Sequence, residues 1–572
     1  VIEVKVPDIG DFSDIPVIEL LVAAGDVVQA EDPLIALESD KATMEVPAPA
    51  AGTVGELRVA VGDKVSEGSV ILTLEPEAGA DDGAAAPSSD AAAAAPTSAP
   101  APSAPPVDVD VAVQVAVLGG GPGGYSAAFR AADLGLSVAL IDRGDVLGGV
   151  CLNVGCIPSK ALLHVARVLA EAEEVGDAGI AFAAPQIDLA GVRAFKDGVV
   201  GKLTGGLESL AKQRKVQVVR GTGTFTGPNT IAVGDVVVGF EHCIVAAGSE
   251  PARLPSLPDD PRVMDSTGAL ALADVPERLL VIGGGIIGLE MATVYDALGS
   301  KVTVVELLDQ LIPGADKDLV KVLQKRIGER YEAIHLGTKV ESVVATDAGI
   351  VVRFGEHEQT FDRVLVAVGR RPNGRLIGAD AAGVSVDERG YVPVDAQLRT
   401  NVAHIFAIGD VAREPMLAHK AVHEGVLAAE LIHGGQASWD VRSIPSVAYT
   451  DPEVAWTGLT EAEAAATGTP YATAQFPWAA SGRALSLGRS DGFTKLLVDP
   501  ETHRILGAGI VGVNAGELIA ELVLAIEAGA DAEDLALTVH PHPTLSETVG
   551  FAAEAVEGTI TDLLPRKLRV KS

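Results

Sequence analysis

The sequence predicts an α/β fold organised around two dinucleotide-type βαβ units, with a small all-β module ahead of them. Three observations predict it. Strand–Gly–helix segments of the GxGxxG kind occur twice, a 37-residue repeat (Gly25 to Gly62) fills the first 76 positions, and an Ala/Pro/Ser stretch separates the two regions. A chain of 572 residues exceeds what one hydrophobic core serves, so several domains are expected.

The first module is read from its repeat. Ala24-Gly25-Asp26-Val27-Val28 through Glu38 recurs as Val61-Gly62-Asp63-Lys64-Val65 through Glu75. Each copy is a Gly-Asp turn followed by alternating apolar residues, which predicts short strands and two quasi-equivalent sheets packed face to face. Between the copies, Glu38-Ser39-Asp40-Lys41-Ala42-Thr43 is a polar break that predicts a hairpin with Lys41 at its tip. Without further context that lysine reads as an ordinary surface residue. Residues 77–108 then collapse into Ala, Pro, Ser and Asp, too poor in apolar residues to build a core. Extended at ~3.1 Å per residue, such a linker reaches on the order of 90 Å, enough for a tethered arm.

Beyond the linker, Val113–Leu118 predicts a strand that runs into Gly119-Gly120-Gly121-Pro122-Gly123-Gly124 and an Ala-rich helix. Gly119, Gly121 and Gly124 permit a tight turn and close approach of a pyrophosphate, whose charge suits the free N–H groups of a helix start. Asp142 ends the next strand, where a carboxylate accepts from a ribose. The second unit repeats the pattern with Leu279–Ile282, then Gly283, Gly285 and Gly288, and Glu306 after the strand Val302–Val305. The acid follows the third glycine by 18 residues in both units (Gly124 to Asp142, Gly288 to Glu306). Glu306 repels a 2′-phosphate and pairs with a free 2′-hydroxyl, so the second site is expected to prefer NAD to NADP.

After the first unit comes Gly148-Gly149-Val150-Cys151-Leu152-Asn153-Val154-Gly155-Cys156-Ile157-Pro158-Ser159-Lys160, then a helical pattern. Pro158 suits a first helical turn, which puts Cys156 at a helix start where free amides favour a thiolate. Residues five apart on a regular helix diverge by about 140°, so pairing Cys151 with Cys156 requires a distortion, expected at Cys151 beside its glycines. The competing readings are two buried structural thiols or part of a zinc site, and no second Cys or His pair lies nearby. The third cysteine, Cys243, reads as a buried strand residue. Near the C-terminus, Val539-His540-Pro541-His542-Pro543-Thr544-Leu545-Ser546-Glu547 is either a structural turn or an imidazole oriented by a carboxylate.

The segment Cys151 to Lys160 resembles the active-site motif of the flavoprotein disulfide reductases, and the order of segments resembles the dihydrolipoamide dehydrogenase branch of that family. The resemblance implies two Rossmann-like dinucleotide-binding domains plus an α+β dimerisation domain, preceded by an all-β lipoyl domain. It implies boundaries at 1–76 (lipoyl), 77–108 (linker), 109–260 (FAD, first part), 261–375 (NAD), 376–440 (FAD, second part) and 441–572 (dimerisation). It further implies a Cys151–Cys156 redox disulfide, with Cys156 as the thiolate beside FAD and Cys151 exchanging with substrate. Lys160 and Glu290 match the pair near the flavin. Gly248, Asp410 in Phe406-Ala407-Ile408-Gly409-Asp410, and Ala418 match FAD contacts, and Gly369 lies in a matching nucleotide-contact segment, Val368 to Pro372. His542 matches the base and Glu547 its orienter, both contributed across a homodimer interface, while His540 has no matched role. Residues 1–76 resemble the lipoyl domains of 2-oxoacid dehydrogenase complexes, which implies lipoate on Lys41; Asp40 and Ala42 flank it where biotin carriers have methionines. One departure is Val150, where the family has Thr.

What this implies is oxidation of protein-bound dihydrolipoamide by NAD through FAD, with the lipoyl domains and acyltransferase core of pyruvate or 2-oxoglutarate dehydrogenase complexes as partners. The alternatives are an NADH-driven disulfide or peroxide-defence reductase that uses its own lipoyl arm, and a structural lipoyl carrier. Glu306 disfavours the glutathione reductases, and the absence of a second cysteine pair at the end disfavours the mercuric reductases. No His-x-x-x-Asp-Gly motif of an acyltransferase core occurs. Asp plus Glu exceed Lys plus Arg by 78 to 43, a net charge of -35 that repels nucleic acid and anionic lipid. Three cysteines, two of them paired in a motif, fit a reducing compartment. With no apolar run of eighteen and no basic-then-apolar start, the expectation is a cytoplasmic protein with no transmembrane segment and no metal. The basic run Arg566 to Lys571 reads as a solvated tail.

Overall fold

The computed structural model describes residues 2–6, 15–28, 32–38, 43–50, 52–66, 68–76, 109–254 and 257–571. Two compact units divide the chain, Val1–Ala104 and Pro105–Ser572.

The N-terminal unit contains two four-stranded antiparallel sheets. One orders Ile2–Lys5, Val70–Pro76, Gly52–Leu57 and Val27–Val28; the other orders Thr43–Pro47, Pro33–Glu38, Ile15–Leu20 and Lys64–Val65. The sequence repeat is physical. Gly25 and Gly62 both have φ of +97°, and Asp26 and Asp63 accept at 2.8 Å from Ala23 and Ala60. Each turn crosses to the other half: Gly25 N–H donates to Val54 and Gly62 N–H to Val17, both at 2.8 Å. The core repeats with the same offset, since Val17, Val28, Leu34, Ile35 and Leu37 are buried as are Val54, Val65, Ile71, Leu72 and Leu74. The strands Pro33–Glu38 and Thr43–Pro47 pair with Glu38 opposite Thr43. Lys41 itself, like the linker, lies outside the described residues.

In the larger unit the first sheet runs in parallel through Gln217–Arg220, Val138–Asp142, Val111–Leu118 and Val236–Val245, and the distant strand Ile405–Ala407 joins the last of these. A second parallel sheet orders Val263–Met264, Arg363–Val366, Arg278–Ile282, Lys301–Val305 and Ala333–His335. The short ladder Ser249–Pro251 with Arg370–Pro372 marks where the chain leaves the first sheet and returns to it. A third, antiparallel sheet carries Ser446–Ala448, Glu453–Gly458, Ile505–Gly512, Phe493–Val498 and Tyr471–Pro477, covered by the helices Ala515–Ala528 and Glu547–Glu557.

The C-terminal basic run is not a loose tail. Arg569–Lys571 forms a strand on Tyr471–Pro477, and Lys571 Nζ lies 2.5 Å from Glu461. The stretch Gly149–Ala178 is long and apolar enough to span a membrane by length and composition. Gly155 interrupts it, and its Lys160 is ion-paired with buried Glu290, which identifies a core helix.

Candidate active site

One cavity of about 1620 Å³ is lined by both glycine loops and by both cysteines. Its floor is built by close backbone approach. A Cβ on Gly119 would lie 2.2 Å from the Ala246 carbonyl, and one on Gly124 would lie 1.7 Å from the Gly119 carbonyl. Only hydrogen fits at either position. The helices Pro122–Asp133 and Ile286–Ala297 both point their N-termini into the cavity. Gly121, Gly283 and Gly285 line it as expected. Gly288 does not: its Cβ would meet the Gly283 carbonyl at 2.2 Å, so its glycine serves close helix–strand packing.

The acids stand where the spacing put them. Asp142 is buried at the end of its strand, and its Oδ2 has no hydrogen-bond partner, which burial expresses as a raised carboxyl pKa. The guanidinium of Arg220 sits 3.7 Å away and also holds Glu208. Glu306 accepts from Gly284 N–H at 2.6 Å and Leu308 N–H at 2.8 Å, which fixes its carboxylate at the second glycine loop. An orphaned buried acceptor, a loop stripped of side chains and a helix N-terminus together fit the ribose and pyrophosphate of a dinucleotide at the first unit. The second unit offers the bare loop and the helix N-terminus as well, with Glu306 held beside them by its two backbone donors.

Asp410 lines the cavity in a turn where Gly409 has φ of +70°, and it accepts from Ser249 Oγ at 2.5 Å; Arg370 in turn donates to that hydroxyl at 2.7 Å. Gly248, Gly369 and Ala418 complete this wall. Sequence reasoning missed the clamp behind it. Glu424, fully buried, accepts from Gly409 N–H at 2.6 Å and Arg413 Nε at 2.9 Å, and buried Lys420 donates to the Gly409 and Arg413 carbonyls. The only signal was the i,i+4 spacing of opposite charges in the helix Ala418–Ile432, a pattern that ordinarily marks an exposed face.

The cysteine segment is docked on the first glycine loop. Gly148 N–H donates to the Gly120 carbonyl at 2.9 Å, and a Cβ on Gly149 would lie 2.6 Å from Gly121 Cα. Cys156 is the first residue of the helix Cys156–Glu174, and Cys151 belongs to the short helix Gly149–Val154. The distortion falls between them at Gly155 (φ −143°, ψ −118°), not at Cys151. Only a glycine clears the Val150 carbonyl there, because a Cβ at position 155 would lie 2.8 Å from that oxygen. Both residues are thiols in this structure. Their hydrogen bond polarises them. Cys156 is lowered to about 7 by the bond from Cys151 and, against burial, by the Lys160 charge. Cys151 is pushed well up by that same bond and by burial, so it holds the shared proton. Val150 lines the cavity beside them.

Lys160 Nζ sits 2.9 and 3.0 Å from the two oxygens of buried Glu290. Burial alone would lower the ammonium pKa, but Glu290 holds it above its ordinary value. Tyr449, which no motif signalled, donates its backbone N–H to Glu290 at 3.2 Å and lays its ring 4.5 Å from the Lys160 ammonium.

His542 Nδ1 lies 2.8 Å from Glu547 Oε1, and Glu547 Oε2 accepts from Thr544 N–H at 2.7 Å. Neither residue lines the cysteine cavity of its own chain, and the His542 side chain is 80% exposed. His540 is instead a packing residue, bonded to Glu521 at 2.8 Å and to the Thr538 carbonyl at 3.0 Å. Cys243 is fully buried in its strand, and burial pushes its thiol up. Among the described residues, one acidic group, Asp316, Asp318 and Glu461, has the closeness of a metal site. The buried Lys495 ammonium fills it, at 2.7, 2.7 and 3.0 Å from the three carboxylates.

The chain belongs to the pyridine nucleotide-disulphide oxidoreductases, whose family profile matches residues 113–425 and whose dimerisation-domain profile matches residues 444–553. It is therefore an oxidoreductase of the flavin- and nicotinamide-using kind, and residues 2–74 match the biotin/lipoyl profile described as biotin-requiring enzyme. Within the family the chain is similar to dihydrolipoyl dehydrogenases. It is 58% identical to that of Vibrio cholerae over 472 residues, covering 81% of this chain and 99% of the other. The Haemophilus influenzae dihydrolipoyl dehydrogenase is 56% identical, with 81% and 98% covered. Among solved structures, the HOCl-induced flavoprotein disulfide reductase RclA from Escherichia coli is 28% identical, with a TM-score of 0.71 over 77% of this chain and 99% of that one.

Proposed function

We propose that the chain oxidises protein-bound dihydrolipoamide to lipoamide and reduces NAD, with Cys151 and Cys156 as its redox pair. The observation that carries this reading is the polarised thiol pair docked on the first glycine loop, inside a cavity that the second glycine loop shares. Gly119, Gly121, Gly124, Asp142, Gly248, Asp410 and Ala418 would hold FAD; Gly283, Gly285, Glu306 and Gly369 would hold NAD. In the oxidised enzyme a substrate thiolate attacks Cys151 Sγ. A substrate–Cys151 disulfide forms, the Cys151–Cys156 bond breaks, and Cys156 leaves as the thiolate that Lys160 stabilises. The second substrate sulfur then displaces Cys151, closing lipoamide and leaving the dithiol seen here. Each attack needs a thiolate, and His542 of the partner subunit, oriented by Glu547, takes the proton. FAD held by these residues would supply a two-electron path from the dithiol to NAD, and that loss of two electrons would restore the Cys151–Cys156 disulfide.

Exposed Leu537 and Val539, close before His542 in the chain, support a subunit interface on this face, consistent with the matched dimerisation domain. As partners the reading assigns the lipoyl domains and acyltransferase core of a pyruvate or 2-oxoglutarate dehydrogenase complex, in a reducing cytoplasm. A second reading is favoured by the fused lipoyl-type unit: the same chemistry run backwards, with NADH reducing lipoate borne on Lys41, which then reduces a peroxide or another disulfide. The carrier reading is disfavoured by the presence of Cys151, Cys156 and His542. Purified protein should reduce NAD with free dihydrolipoamide, and Cys156→Ser should abolish it. Flavin-loaded protein without that activity would sink the first reading, and NADH-dependent reduction of the Lys41 arm alone would favour the second.

A further inference from the structure

Lys160 is the cation placed to stabilise the Cys156 thiolate, yet its ammonium ends a flexible four-carbon stem. Two cavities meet at it. The large one holds the thiols; a second, of about 260 Å³, lies on the other side and is walled by the carboxylates of Asp296, Asp451, Glu453 and Glu517 and by Arg167, Arg330 and Arg489. Lys160 and Tyr449 line both. Asp451 is paired there with Arg489 and Asp296 with Arg330, which leaves Glu453 and Glu517 to draw on the ammonium, and Tyr449 stands between.

We propose that Tyr449 is a positioning residue of the thiol site: its ring face, 4.5 Å from the Lys160 ammonium, holds that charge toward Cys156 and away from Glu453 and Glu517 in the second cavity. A ring quadrupole attracts an ammonium at this distance, and more strongly when both are partly desolvated. Tyr449 is half-buried, and its backbone N–H grips Glu290, the carboxylate that pairs with Lys160. One residue thus fixes the cation with its ring and fixes the anion with its main chain. The groups facing this arrangement are Cys151, Cys156 and Glu290 on the thiol side, and on the other Glu453 and Glu517, with Arg167 and the ion pairs Arg489–Asp451 and Arg330–Asp296 beyond them. Removing the ring leaves the Glu290 contact intact, since that contact is backbone, and frees the ammonium to lean toward Glu453 and Glu517. The Cys156 thiolate then loses part of its stabilisation.

The inference rests on the dithiol–flavin reading above, and one titration separates the two. Holoenzyme reduced by two electrons is titrated with base while the long-wavelength absorbance of a thiolate against flavin is followed, with flavin content and circular dichroism as controls of folding. Tyr449→Leu should move the midpoint upward from about 7, by about half a unit to one unit. Tyr449→Phe, which keeps the ring face and loses only the hydroxyl, should return it to within a few tenths of the wild-type value. A Leu variant that titrates like wild type overturns the proposal, because a merely structural role would lower the melting temperature and leave the midpoint alone. A Phe variant shifted as far as Leu also overturns it, since the hydroxyl would then be the working group. Wild-type enzyme with no such absorbance at any pH removes the dithiol–flavin reading and this inference together.

Discussion

If His542 acts on the thiols of the other subunit, two dead enzymes should make a live one. Cys156→Ser keeps His542 but has no redox pair; His542→Ala keeps the pair but has no base. Neither His542 nor Glu547 lines the cysteine cavity of its own chain, so each active site would draw its thiols from one subunit and its imidazole from the other. In a mixed dimer, one site then combines both defects and the other combines both intact halves. Random reassociation of equal amounts gives half mixed dimers, each with one complete site of two, so about one quarter of wild-type activity should return. The assay is NAD reduction by dihydrolipoamide after the two proteins are dissociated and reassociated together, compared with each treated alone. The general base is worth about 10²–10⁴-fold, so the background of either parent stays well below that quarter. Activity that stays at the parental background although mixed dimers form, as shown by a tag on one parent, would falsify supply of the base across the interface.

Glu424→Gln keeps the shape of the clamp behind Asp410 but strands buried Lys420 beside a neutral amide; breaking a buried pair in this way costs about 3–5 kcal/mol. Flavin fluorescence should show faster FAD loss on dilution, with a lower melting temperature. Glu461 should make the fold acid-sensitive in a defined window. Burial would raise its carboxyl, but Lys571 and Lys495 hold it at about 2 against an ordinary 4.5. Its contribution is therefore complete above pH 4.5 and lost as pH falls toward 2. Lys495→Met inverts this at higher pH: with Asp316, Asp318 and Glu461 left facing one another, melting temperature should rise as pH is lowered from about 7 toward about 5. Glu306→Ala should raise KM for NAD by about 10- to 100-fold, from loss of charge-assisted hydrogen bonds, while leaving KM for NADP less affected. An unchanged NAD-to-NADP preference would remove Glu306 from cofactor selection.

The fold was legible wherever a residue type was forced by backbone geometry. Gly119, Gly283, Gly25 and Gly62 all take positive φ, and their spacing therefore showed through the sequence as motif and repeat. Period also carried through: the strands begun at Val113, Leu279 and Val302 differ from the observed ones by at most two residues. The break in the cysteine helix was misplaced because three glycines flank the pair. Choosing Gly155 over Gly148 and Gly149 required knowing that the Val150 carbonyl closes on its α-carbon. The C-terminal run was half read. Its charged side chains are exposed, as expected, while its role as the edge strand beside Tyr471–Pro477 depends on a partner nearly a hundred positions away.

What stayed hidden in the site is of one kind: charged or aromatic groups whose partners are distant in sequence and whose work is done on another residue. Glu424 serves Asp410 through the Gly409 amide, Arg370 serves it through Ser249, and Tyr449 serves Lys160 through its ring. Groups that meet a cofactor or substrate are constrained by its chemistry, which recurs and leaves a motif. Groups that hold them in place are constrained only by this fold's distances, and a Lys-x₃-Glu on a helix or a Tyr after a short strand looks the same whether it is idle or essential. The polarisation of Cys151 and Cys156 belongs to both classes. The helix start that favours the Cys156 thiolate was legible in Pro158, but the ammonium that reinforces it depends on Glu290, 130 residues away, and on Tyr449, farther still. The helix start thus favours one sulfur over the other, and the packing of three separate segments around Lys160 adds to that preference.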